Sequence, residues 1–205
     1  MTDNTDIRRR RFLTGTASVI GGVGACFTAV PFIASFQPSE RAKAIGAPVE
    51  VDISKLEPGQ RLIQKWRGKP VWIVRRTPDM VESLKKFEAG MLRDPTSTDS
   101  AQPTYAKNEW RSEKPEYLVL VGVCTHLGCS PLGAFEPNNA AQVAGVDLGQ
   151  GWPGGFYCPC HGSKFDLSGR VFKGVPAPKN LTIPPYSFAG DTRIVIGVDT
   201  APKKA

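Results

Sequence analysis

Histidine is nearly missing from this 205-residue chain: His126 and His161 are the only two. So small a supply leaves triad chemistry few candidates, and no Ser/His/Asp constellation can be assembled from the residues present. No glycine-rich phosphate loop and no internal repeat occur, so the nucleotide-binding signature is missing as well. A strong excess of one charge is also lacking where it would matter. Lys and Arg number 26 against 19 Asp and Glu, a net charge of +7, but four of the positives form the run Arg8 to Arg11, and from Ala44 onward the balance is 20 to 16. Without a basic stripe carrying interleaved aromatics, no nucleic-acid partner is expected. Long helices are disfavoured too, because 21 Gly and 18 Pro interrupt the chain and favour short strands joined by turns. The length allows one domain of about 150 residues plus an appendage. Its 40% hydrophobic and 22% charged residues match neither a disordered chain nor a multi-span membrane protein.

One long apolar run does exist. Phe12 to Phe36 carry no charged side chain over 25 positions, and as a helix they would rise about 37 Å, enough to cross a hydrocarbon core of about 30 Å. Its glycines and Pro31 would be poor choices in a soluble helix but are tolerated in membrane helices. Residues 1–11 end in four arginines, so the positive-inside rule keeps this tail in the cytoplasm and sends everything after Gln37 outside. Arg9-Arg10-Arg11-Phe12-Leu13 resembles a twin-arginine export signal. The nearest small-x-small cleavage candidate, Ala42-Lys43-Ala44, is charged and distant, so residues 12–36 are expected to stay as a single-pass anchor in lipid.

Residues 37–48 are Pro-, Ser-, Ala- and Gly-rich without apolar periodicity, and read as a flexible tether. Beyond them lies a head, residues 49–205, with short β-type runs at Val49–Ile53, Arg61–Trp66, Val71–Val74, Tyr117–Val123, Gly155–Cys158, Leu181–Ile183 and Thr192–Val198. Two of these flank Gly68-Lys69-Pro70 in hairpin fashion. Thr77-Pro78-Asp79 caps one short helix of about ten residues, carrying Met80, Leu84 and Phe87 at helical spacing. Arg93–Pro115 and Phe135–Gly154 read as loops. The expected fold is an all-β head, an antiparallel assembly with long loops, on one N-terminal transmembrane helix.

The head concentrates its chemistry in two boxes. Cys124-Thr125-His126-Leu127-Gly128-Cys129 and Cys158-Pro159-Cys160-His161-Gly162-Ser163 hold both histidines and four of the five cysteines; Cys26 lies in the apolar run. Two Gly/Pro-containing turns of this composition can converge on one site and supply two thiolates and two imidazoles. Three readings fit: a tetrahedral zinc site, two disulfides with unrelated histidines, or a two-iron, two-sulfide cluster with cysteines on one iron and histidines on the other.

The paired strings C-T-H-L-G-C and C-P-C-H-G-S resemble the Rieske iron–sulfur proteins of the cytochrome bc complex. The likeness extends to the anchor, the tether and Gly174-Val175-Pro176-Ala177-Pro178, which resembles the proline loop covering the cluster in that family. It implies a Rieske fold with a two-loop cluster-binding part over about residues 117–180 and one 2Fe–2S cluster. Cys124 and Cys158 would bind one iron, His126 and His161 the other, and Cys129 would pair with Cys160. The Ser163 hydroxyl would hydrogen-bond the cluster. His161 would meet ubiquinol and take its proton, and the partners would be cytochrome b and a c-type cytochrome in a dimeric complex of the bacterial inner membrane, with a periplasmic head.

One position departs from the pattern. Many family members carry a tyrosine two residues after this serine, where the present chain has Phe165. The segment 134–154 is also longer than in compact members. The small Rieske subunit of a periplasmic molybdenum oxidase, of the arsenite oxidase type, is the alternative reading. A Rieske oxygenase would need two more histidines for its mononuclear iron, and none remains.

Overall fold

The computed structural model describes residues 4–85, 89–135, 142–143, 146–148 and 152–199. The chain divides into two compact units, residues 1–44 and 45–205. In the first, helix α1 (Asn4–Ser35) contains all of the expected span but Phe36, together with the arginines before it, and it is long and apolar enough to cross a membrane. The stretch read as a tether is not coil throughout, because a second helix, α2 (Glu40–Gly46), occupies most of it. Local polar contacts explain that turn of helix. The Ser39 hydroxyl accepts the Ala42 N–H at 3.2 Å, and Lys43 pairs with Glu40 at 2.7 Å one turn away, a capping and i,i+3 pattern that needs no apolar periodicity.

The head is built of antiparallel strands: β1 (Val49–Asp52), β2 (Arg61–Trp66), β3 (Lys69–Arg75), β4 (Tyr117–Val121), β5 (Leu132–Phe135), β6 (Gln142–Val143), β7 (Val146–Asp147), β8 (Gly155–Cys158), β9 (Ser163–Phe165), β10 (Tyr186–Phe188) and β11 (Arg193–Ile196). Three sheets have the orders β1-β11-β10, β2-β3-β4 and β5-β8-β9, and β6 pairs with β7. Val71–Val74 and Tyr117–Val121 are buried at every position. Both strands therefore lack alternation and read as continuous apolar runs, as strands covered on both faces do.

Several expectations shift. The hairpin turn is Arg67-Gly68, with Trp66 opposite Lys69 in the ladder. Both turn residues have positive φ, 49° and 74°, the geometry of the tight turns that match strand twist, so Lys69 and Pro70 belong to β3. Leu181–Ile183 is not a strand: the Val121 N–H donates to Thr182 O and the Ile183 N–H to Ala101 O, two bonds to different segments, and Pro184-Pro185 has no N–H with which to continue a ladder. Helix α3 (Pro78–Lys85) spans eight residues with Met80 and Leu84 buried; Phe87 lies outside the described residues. The stretch 93–115 carries one 3-10 turn, Thr104–Ala106. The stretch 135–154 carries the β6–β7 hairpin, although much of it lies outside the described residues.

Candidate metal centre

The two boxes are two turns of the same construction. Box one follows β4 and leads to β5; box two joins β8 to β9. In each, a glycine four residues after the first cysteine donates its N–H back to that cysteine's carbonyl at 3.0 Å, Gly128 to Cys124 and Gly162 to Cys158. The glycines sit at φ 86° and 76°, where a side chain would be strained. The spacing C-x-x-x-G is thus a backbone requirement. Box one also closes through the Cys124 N–H to Cys129 O at 2.7 Å. A disulfide between Cys129 and Cys160, Cα atoms 6.7 Å apart, ties one turn to the other.

The turns bring the remaining reactive groups together. Cys124 and Cys158 are free and buried, 3% and 2% exposed. The rings of His126 and His161 meet edge to face with centroids 4.7 Å apart; His126 is half-buried and His161 exposed. Burial pushes the Cys124 thiol above its ordinary range, and its hydrogen bond with Cys158 pushes the same way. The backbone at His126 and the Ser163 hydroxyl act oppositely by hydrogen-bonding the sulfur. A metal bound at the Cys124 sulfur would reverse that direction by favouring the thiolate. The sulfurs of Cys129, Cys158 and Cys160 lie within 4.8 Å of one another, but two of them share the disulfide, so this trio offers a single free thiol. Two thiols and two imidazoles are a donor set that fits a cluster with cysteines on one iron and histidines on the other.

The proline loop and the residue that follows it fasten both boxes. Ala177 is fully buried, and its N–H donates to the Ser163 Oγ at 3.1 Å, which leaves the hydroxyl proton free to point at sulfur. The Thr125 hydroxyl donates to Lys179 O at 2.6 Å. Phe165 is fully buried opposite Phe156 in the β8–β9 ladder. A tyrosine there would add one hydrogen bond to a charged group, worth about 1.5 kcal/mol, or roughly 60 mV for one electron. Phe165→Tyr is therefore expected to raise the midpoint potential by about that amount in a redox titration followed by EPR; an unchanged or lowered potential would contradict the assignment.

Sequence reasoning missed the residues that hold the boxes in place. Arg111, fully buried, donates to Gln102 Oε1 and to the carbonyls of Ser168, Gly169 and Leu181 at 2.7–3.2 Å. Arg76 donates to Pro115 O, Trp110 O, Leu167 O and the Ser112 hydroxyl. Burial pulls both guanidiniums down to about 10, so both remain charged at neutral pH. Arg170 pairs with buried Asp166 at 2.6 Å. Arg111 lies in a polar, proline-rich stretch and looks like a surface residue, and no local signal marks Arg76 or Arg170 as buried either. Leu127, 72% exposed next to His126 in the first turn, carries no sequence signal beyond its place in the motif.

Residues 106–186 match the Rieske [2Fe-2S] domain family, and residues 1–39 match the family described as "Ubiquitinol-cytochrome C reductase Fe-S subunit TAT signal". The chain is 56% identical over 191 residues to the ubiquinol–cytochrome c reductase iron–sulfur subunit of Allochromatium vinosum, covering 93% of this chain and 89% of that one. The chain belongs to this Rieske subunit family. It is also 41% identical over 200 residues to the subunit of Blastochloris viridis, covering 98% of both chains. With the mitochondrial cytochrome b-c1 complex Rieske subunit of Schizosaccharomyces pombe it shares 40% over 185 residues, 90% of this chain and 69% of that one. The Rieske assignment makes the chain a subunit of a quinol-oxidising, cytochrome-reducing complex and makes its cofactor a Rieske-type 2Fe–2S cluster. The relatives do not favour the molybdenum-oxidase alternative.

Proposed function

We propose that the chain takes an electron from ubiquinol, together with a proton received at His161, and delivers the electron to a c-type cytochrome. The observation that carries this reading is the pair of edge-to-face imidazoles, one exposed, carried on the same two turns as a buried thiol pair. Cys124 and Cys158 would hold one iron of the cluster and His126 and His161 the other. Bound there, the cluster supplies a one-electron acceptor with a potential in the range of about −150 to +300 mV, well above that of all-cysteine plant-type clusters. The residues do the rest. His161 presents its metal-free ring nitrogen to the quinol hydroxyl and accepts the proton there. Ser163 donates its hydroxyl hydrogen toward sulfur and stabilises negative charge on it. The buried core around Cys124 and Cys158 excludes water.

The same reading places the protein in its membrane. Arg8 to Arg11 hold residues 1–11 in the cytoplasm, residues 12–36 anchor the chain in the bacterial inner membrane, and the head of residues 49–205 stands in the periplasm. Residues 37–48 form the tether on which the head moves between cytochrome b and a c-type cytochrome in a dimeric complex. The twin-arginine route carries folded cargo, which suits a cofactor assembled in the cytoplasm.

The test is ubiquinol-dependent cytochrome c reduction in native membranes. His161→Ala is expected to abolish it. Because that variant also removes a metal ligand, Leu127→Asp provides the second arm. Burying a leucine at a partner surface is worth about 2 kcal/mol and burying a carboxylate is costly, so turnover should fall at least about tenfold while the cluster's EPR intensity is retained. Wild-type turnover in both variants would overturn the proposal.

A further inference from the structure

A free thiol lies against the disulfide that ties the two turns together. The Sγ atoms of Cys129, Cys158 and Cys160 all lie within 4.8 Å of one another; Cys129 and Cys160 are bonded, and Cys158 is free and 2% exposed. Both turns are closed by their own backbone hydrogen bonds, from Gly128 to Cys124, from Cys124 to Cys129 and from Gly162 to Cys158. The polypeptide itself therefore sets the proximity of these sulfurs. Burial keeps external thiols away from Cys158, so the nearby disulfide is its accessible reaction partner.

We propose that Cys158 is a thiol–disulfide exchange site of the cluster-free chain, which rearranges the Cys129–Cys160 bond and leaves a centre unable to take up iron. The Cys158 sulfur, as thiolate, forms a bond to Cys129 Sγ; the Cys129–Cys160 bond breaks, and Cys160 leaves as a thiolate that takes up the proton Cys158 released. No oxidant is consumed, and the chain keeps one disulfide. The product Cys129–Cys158 still spans the two turns but removes one thiol from the donor set and exposes another at Cys160. Attack on Cys129 is favoured over attack on Cys160, because the latter would close a small ring around Pro159. That the exchange is confined to the cluster-free chain rests on the reading of Cys158 as a cluster ligand, since a sulfur bound to iron is not a free nucleophile.

The experiment uses the full-length, cluster-loaded protein, purified without thiol reductant and held under anaerobic conditions. One portion is stripped with an iron chelator, and aliquots of both portions are blocked with N-ethylmaleimide over time and mapped by non-reducing peptide mass spectrometry, with fragment ions across Pro159 locating the label. Before stripping, Cys129–Cys160 should be the disulfide found, with Cys158 unlabelled. After stripping, over minutes to hours, label should appear on Cys160 and Cys129 should be found bonded to Cys158. In Cys124→Ser the same exchange should proceed, whereas Cys158→Ser should keep Cys129–Cys160 throughout. Persistence of Cys129–Cys160 in the stripped wild-type chain, with or without label on Cys158, would overturn the exchange. Label on Cys158 in the loaded protein would instead overturn its reading as a ligand, and the two failures are distinct.

Discussion

Arg111→Met is expected to destabilise the head by about 3–5 kcal/mol, enough to lower the midpoint of a urea unfolding curve by more than 1 M. The guanidinium is fully buried and donates to three carbonyls, Ser168, Gly169 and Leu181, as well as to Gln102. Methionine fills comparable space but donates nothing, so three buried carbonyls lose their partner at about 1–3 kcal/mol each. Part of that loss is offset because a buried charge is no longer carried. The contacts join the stretch 93–115 to the segment after β9 and to the approach of β10, the two stretches that flank the proline loop. Cluster loss on dilution should therefore accompany the weaker fold. A change below 1 kcal/mol with an intact cluster would mean that the arginine is replaceable packing.

Removing the strap with Cys129→Ala and Cys160→Ala together is expected to cost a similar amount by another route. The bond closes a loop between residues 31 apart, and loop-closure entropy for that length is about 3–4 kcal/mol. For a head of this size that is roughly a 10 °C fall in Tm. Calorimetry of the double variant measures it, and EPR of the same sample shows whether both histidines still converge. A Tm within 2 °C of wild type would mean that the backbone closures at Gly128 and Gly162 hold the turns unaided.

The reactive part of this molecule is legible in sequence because its constraints are local. C-x-x-x-G in both boxes fixes each turn within five residues, and Gly155–Cys158 and Val71–Val74 are apolar runs long enough to declare buried strands. What could not be read depends on distant partners. Strands β9 and β10 have three residues each, too few for a period; Ser163-Lys164-Phe165 is a strand because β8 lies beside it. Leu181–Ile183 has strand-like side chains, but two prolines follow and its hydrogen bonds go to two different segments. Arg76, Arg111 and Arg170 are buried only because carbonyls and a carboxylate from segments remote in sequence surround them. Glu40–Gly46 forms a helix on the strength of a serine cap and one ion pair, in a composition that reads as linker.

The measurement that bears most directly on the whole account is the optical spectrum of what accompanies the tagged full-length protein when it is extracted from its own membranes in mild detergent. The account predicts b-type and c-type haem bands in fixed proportion to the Rieske EPR signal, with ubiquinol reducing the c-type haem. A preparation that carries the EPR signal with a molybdenum-containing subunit and no b-type haem would contradict it, leaving the cluster in place but removing ubiquinol and the proton-accepting role of His161.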